Sequence, residues 1–269
     1  MFRDKAPSWA YFALLLTSFG AVAPLAWLFL LSLDPNQGVA STSGIYSLKN
    51  YASVLFQSMM GQYFLNTTIV ALMTVFCTLS CATLGAYAAS RYRFRGREPI
   101  MIGLLLASMT PVIAVLVPLY AMAAKLQLLN TYSILVIVFT AWQLPGTLWL
   151  IRSFMNSIPA ELEEAALVDG CGRARAFFRI VLPQLVPGLV ASGLIVFVYV
   201  WNEFIIAVSL SAKQDMRLVS VGLYFYLSDF GVEWGKIAAG AIISIIPPAM
   251  LFLFLQRQLI HGLSAGAVK

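Results

Sequence analysis

The chain has 269 residues, 61% of them hydrophobic and only 10% charged, against roughly 25% charged in an ordinary soluble domain. With a mean hydropathy of +0.86, this composition excludes a water-soluble globule, because one soluble core of this size could not hide so much apolar surface. The formal charge of +6, from 17 Lys and Arg against 11 Asp and Glu, is scattered between apolar runs rather than gathered into one basic face, which excludes a nucleic-acid binder.

In chain order, Arg3 and Lys5 precede an apolar run with Ala21-Val22-Ala23, which on its own would pass for a signal peptide, a reading rejected on the length of the run. The uncharged stretch continues from Ser8 to Leu33, enough for a membrane-spanning helix of about 20 residues. Further uncharged windows lie at 50–90, 99–124, 126–151, 180–202 and 237–256, so that with 6–33 the sequence predicts six spans. The second helix is placed near 62–90, leaving 34–61 as an external loop marked by Asp34-Pro35-Asn36 and Ser41-Thr42-Ser43-Gly44. The fifth is expected to continue to Leu210, taking Glu203 into the membrane. Pro111 and Pro118, Pro145-Gly146 and Pro247-Pro248 are expected to break spans three, four and six. Freed carbonyls at such breaks are tolerated only where protein or a water-filled cavity satisfies them. No inverted repeat of the secondary-transporter kind is visible. The fold class is therefore all-α integral membrane.

Lys and Arg set the orientation, because they are retained on the cytoplasmic side. With both termini inside, twelve of the 17 basic residues are cytoplasmic and five (Lys49, Lys125, Lys213, Arg217 and Lys236) are outside. The alternation of Arg91, Arg93, Arg95 and Arg97 reads as a topology anchor after span two, with an anionic-lipid site as the alternative. Cys77, Cys81 and Cys171 cannot form a disulfide framework. A single histidine, His261, excludes a paired-His metal motif, and no metal or catalytic residues are assigned. No Lys is followed by Ser or Thr, so the chain has no P-loop, and Gly170-Cys171-Gly172 does not extend into a dinucleotide fingerprint. No cofactor is expected in this chain.

The loop between spans four and five is the most informative segment. Pro159 suits the first turn of a short helix, Glu161, Glu163 and Glu164 oppose its positive dipole end, and Gly170 can take the left-handed cap. Leu162, Ala165, Ala166 and Asp169 fall at helical spacing and form a narrow face of small side chains. A second segment, Gly172 to about Leu185, is basic and apolar and ends at Pro183, completing a cytoplasmic helix-turn-helix elbow. From the residues alone, this elbow is either a docking element or an amphipathic loop resting on lipid headgroups. Glu203, in Tyr199, Trp201, Asn202 and Glu203, lies about 22 Å along span five at 1.5 Å per residue. Its readings are a sugar-contacting translocation pathway, a structural or gating carboxylate, and the relay of a proton-coupled secondary transporter.

Glu164-Ala165-Ala166, followed by Gly170, Ile180 and Leu182-Pro183 at fixed spacing, resembles the EAA signature of permease subunits in binding-protein-dependent ABC importers. Ile158-Pro159, Leu162-Glu163, Asp169, Phe178, Pro187, Trp201-Asn202-Glu203-Phe204 and the ending Gly262 to Lys269 are similar to the carbohydrate branch, which serves maltose, trehalose or glycerol-phosphate uptake. The resemblance covers roughly 60–269 and implies a type I importer transmembrane domain divided into 1–58 (first span and external loop), 59–257 (core, with the elbow at 152–187) and 258–269 (cytoplasmic tail). It implies that Leu162, Glu164, Ala165, Ala166, Asp169 and Gly170 couple the chain to a cytoplasmic ATPase that holds the ATP and Mg. It also implies a second permease as heterodimer partner, two ATPase subunits, and an extracytoplasmic solute-binding protein at a bacterial or archaeal cell membrane.

Overall fold

A computed structural model describes residues 8–35, 46–228 and 231–267, with side chains described for 9–35, 46–226 and 232–256. The topology residues Arg3 and Lys5, positions 36–45 of the external loop, and the side chains of Arg257, His261 and Lys269 lie outside the described residues.

Helices dominate, as an apolar chain that must satisfy its own backbone requires. Their order is α1 (Ser8–Ser32), α2 (Lys49–Phe56), α3 (Met60–Arg91), α4 (Arg97–Ser108), α5 (Val112–Lys125), α6 (Tyr132–Ser157), α7 (Glu161–Val168) and α8 (Arg173–Ala176). A π-helical turn (Phe177–Val181) then leads into α9 (Leu182–Asn202), α10 (Ile205–Leu210), α11 (Val219–Tyr224) and α12 (Trp234–Ala267). Two-residue strands β1 (Leu227–Ser228) and β2 (Gly231–Val232) pair as an antiparallel ribbon. Among the described residues, five helices are long and apolar enough to cross a membrane, and α4 with α5 makes a sixth if that bent pair is one span.

The break expected in span three is found at Pro111, where α4 and α5 meet at 93°, but not at Pro118, which lies inside continuous α5. Pro111 is the cause, since it has no N–H to continue α4 and instead opens α5 with φ −62° and ψ 130°. The other prolines do not break their spans. Pro145 lies inside continuous α6, and Pro247-Pro248 inside continuous α12. The fourth span starts later than its uncharged window, at Tyr132, because Gln127 and Asn130 take positive φ and Thr131 Oγ1 accepts from the Ile134 N–H. The fifth breaks at Glu203-Phe204 instead of continuing to Leu210.

The chain forms two compact units, 1–61 with 222–246 and 62–221 with 247–269. In the first, α1 presents apolar side chains outward nearly all round (Trp9 71% and Phe19 74% exposed), the pattern of a helix solvated by lipid. Its C-terminal end is tied to α2 by buried Asn50, whose Nδ2 donates to Ser32 O (3.1 Å) and Asp34 O (2.7 Å). The second unit is built around α6 packed on α9. Gly188 allows this approach, since a Cβ there would lie 2.6 Å from the Phe154 ring. One apolar cluster centres on Phe139, Val196, Trp201 and Leu210, the other on Ala86, Ile151, Met155 and Phe177. The second cluster supports the elbow.

Candidate functional site

Helix α7 is held at both ends by its own backbone. Ala160 O accepts from Glu163 N and Glu164 N, both at 3.0 Å, where the acidic first turn favours the helix dipole. At the other end Gly170 has φ +84°, Gly170 N donates to Leu167 O (3.1 Å) and Cys171 N to Ala166 O (2.9 Å). These two bonds make a Schellman cap, which needs the left-handed residue that glycine supplies without strain. A Cβ at Gly170 would meet nothing within 4 Å. The constraint there is backbone conformation, not space.

The cap fixes which side chains face out. Leu162, Glu164, Ala165, Asp169 and Gly170 are exposed, joined by Val168 at 87%. Ala166 is corrected: it is only 7% exposed and packs against its own chain, so it cannot line an outer surface. The helical phase places Glu163 and Ala166, three residues apart, together on the inward side.

Glu163 meets partners there that spacing in the sequence did not reveal. The Tyr87 hydroxyl donates to Glu163 Oε1, and Arg91 Nε lies 3.1 Å from Oε2. Arg91 Nη2 also donates to Ile158 O at 3.0 Å. Arg91 is therefore an internal ion-pair partner rather than only the topology anchor expected of it. The Tyr87 ring packs edge-on against Phe177, centroids 4.8 Å apart, and the Arg173 guanidinium lies 5.2 Å from the centre of the Tyr92 ring.

The second arm of the elbow is also corrected, because it does not stop at Pro183. From Arg173 the chain passes through α8 and the π-turn directly into α9, with Pro183 in the first turn of α9, where a missing N–H costs little. The wider π-turn buries Phe177 and Val181 and leaves Phe178 61% exposed.

At the other end of α9, Trp201 is 3% exposed and stacks on Phe197 (5.3 Å, 21°), so it is core and its faces are closed to a sugar ring. Tyr199 is half-buried, and exposed Asn202 donates from Nδ2 to Val198 O of its own helix at 2.7 Å. Glu203 sits at the break and caps α10: its carboxylate accepts from Ile206 N (3.0 and 3.1 Å) and Ala207 N (3.1 Å). Ser220 Oγ donates to Glu203 O at 2.7 Å. A carboxylate bound in this way by backbone amides is a structural cap, and the proton-relay reading has no support.

Between α6 and α9 lies a cavity of about 240 Å³ lined by Gln143, Gly146, Thr147, Leu150, Ser192 and Ile195. It has a largely apolar wall with one amide and two hydroxyl side chains, none singled out in the sequence. The available signal was Gln143 and Thr147, polar residues at i and i+4 in an apolar span. Among the described residues, no group of three His, Cys, Asp or Glu could hold a metal ion.

Comparison with known proteins bears on the whole chain. The chain is 34% identical over 252 residues to the trehalose/maltose transport system permease protein MalG of Thermococcus litoralis, covering 91% of each. It is 33% identical over 223 residues to the sulfoquinovosyl glycerol transport system permease protein SmoH of Agrobacterium fabrum, covering 83% of this chain and 78% of that one. Its fold matches a solved chain of a bacterial ABC transporter involved in the import of the acidic polysaccharide alginate. The TM-score is 0.80 at 21% identity, over 96% of this chain and 99% of the other. Residues 82–264 match the family described as binding-protein-dependent transport system inner membrane component, and the capped elbow, the apolar spans and this match together place the chain in that family.

Proposed function

We propose that this chain is one permease subunit of an ATP-driven importer for a sugar or sugar-like solute. The observation that carries the proposal is the elbow: a short capped helix that presents Leu162, Glu164, Ala165, Val168 and Asp169 outward while its other side is held by the chain itself. An exposed apolar ridge edged by carboxylates suits a cleft on a partner protein. The lipid-headgroup alternative fits poorly, since anionic headgroups would repel the acidic α7.

In this proposal the elbow docks on a cytoplasmic ATPase, which supplies the nucleotide site that this sequence lacks. Closure of two ATPase subunits moves the elbow and the helices behind it, opening the pathway alternately to either side. A second permease forms the other half of the pathway as a heterodimer partner, and an extracytoplasmic binding protein delivers the solute. Both termini are cytoplasmic, in keeping with the Lys and Arg distribution. A carbohydrate substrate is supported by the names of the relatives, which concern trehalose, maltose and sulfoquinovosyl glycerol. The apolar wall and polar side chains of the α6–α9 cavity suit a solute with hydroxyls on an apolar ring.

The test is reconstitution in vesicles with its ATPase, second permease and binding protein. ATP-dependent uptake of a labelled disaccharide, absent when this chain is omitted, is the expected result. ATP hydrolysis by the isolated polypeptide, or uptake driven by a proton gradient alone, would overturn the proposal.

A further inference from the structure

We infer that Tyr87, Arg91 and Glu163 form a clamp that makes the elbow and the adjoining end of α3 one mechanical unit, with Glu163 as the positioning residue. The inference deepens the coupling reading above and rests on it. It starts from a side chain that the outer face does not use: Glu163 is on α7 but only 7% exposed. A carboxylate in such a place is costly unless it is paired and hydrogen-bonded. Both its oxygens are engaged by α3, Oε1 by the Tyr87 hydroxyl and Oε2 by Arg91 Nε at 3.1 Å. Arg91 also reaches Ile158 O at 3.0 Å, so one guanidinium grips both the α7 carboxylate and the backbone that leads into it.

The second arm closes on the same place. Phe177 of the π-turn packs on Tyr87 with ring centroids 4.8 Å apart. Tyr87 is thus touched by α7 through Glu163 and by the second arm through Phe177. Between the arms the chain is Gly170-Cys171-Gly172, with Gly170 left-handed and Gly172 extended. Two glycines within three residues restrain the angle between the arms weakly, so the side-chain clamp sets it. Force applied to the exposed face of α7 is then carried into α3 instead of being lost in rotation of the elbow about its glycines. Because one missing partner leaves a buried charge unsatisfied, the clamp is either made or broken.

The experiment uses the reconstituted complex of this chain with its ATPase, second permease and binding protein, and measures co-purification, ATP hydrolysis and uptake. For Glu163→Gln, Arg91→Lys and Tyr87→Phe we expect normal membrane abundance and co-purification and hydrolysis within about twofold of wild type. Uptake should fall at least tenfold for Glu163→Gln, so that more ATP is used per solute moved. Tyr87→Phe, which keeps the ring on Phe177 and the ion pair, should fall least. Coupled transport at wild-type level in all three variants overturns the clamp. Parallel loss of co-purification, hydrolysis and uptake, or failure of all three variants to accumulate, also overturns it, because Glu163 would then serve assembly or folding alone. The coupling reading is tested separately by Leu162→Asp on the outer face: if it leaves co-purification intact, docking lies elsewhere, whatever Glu163 does.

Discussion

Glu163 and Glu203 are both carboxylates removed from bulk water, and they are satisfied in opposite ways. Glu203 is held within four residues, by the amides of Ile206 and Ala207. Glu163 is held by Tyr87 and Arg91, 76 and 72 residues earlier in the chain. A carboxylate bonded to the next helical turn stabilises that turn and nothing further. One bonded to a distant helix makes two elements move together. An acid in an apolar stretch thus belongs to the fold or to the mechanism according to where its partners come from.

This contrast can be broken by removing each acid, and the effects on stability should fall in order. Glu163→Ala leaves the part-buried Arg91 without its counter-ion, for which about 3–5 kcal/mol, the cost in a fully buried pair, is an upper bound; a measurable loss of thermal stability of the purified complex is expected. Gly170→Val forces a branched side chain into the left-handed region at about 1–3 kcal/mol. That change should abolish uptake while membrane abundance is retained, and wild-type uptake would count against the capped elbow. Glu203→Ala removes a helix cap at about 0.5–2 kcal/mol, to be read as a modest drop in melting temperature. Glu203→Gln, whose amide oxygen can still accept from Ile206 N, should transport almost normally, whereas a proton relay would stop.

The smallest effect on the fold is expected from Glu164→Lys. Glu164 is exposed, and surface substitutions usually stay within about 0.5 kcal/mol. At a docked interface, loss of one charged partner costs roughly 2–5 kcal/mol, more than a tenfold drop in occupancy. Pull-down of the ATPase with uptake at normal abundance checks this. Unchanged values for both would move the docking surface to the second arm or the C-terminal segment.

Much of the elbow was legible because its signals are local. The acidic first turn and Gly170 lie within ten residues, and each acts on backbone groups nearby, whereas Pro159 falls before the N-cap Ala160 and not in the first turn expected of it. The same locality explains the errors. Proline was given equal weight at 111, 145 and 247, yet only Pro111 coincides with a break, since neighbouring helices can compensate an isolated missing donor. At Trp201, next to Asn202 and Glu203, the sequence left a sugar-stacking reading open beside a structural one, and the structure packs its ring against Phe197 and Phe64. Ala166 was assigned to the outer face because three of its neighbours in the pattern belong there, but an eight-residue helix turns two full sides of its surface within that span.

The sequence by itself determined the lipid-solvated character of the chain, the apolar spans and the capped helix, because hydropathy, charge and cap chemistry act over one helix length or less. Tertiary structure alone decided which face of α7 is free, whether a proline breaks its helix, and that Arg91 pairs with Glu163. Those outcomes depend on which side chains arrive from 70 or more residues away. A buried carboxylate is stable only where such partners converge on it.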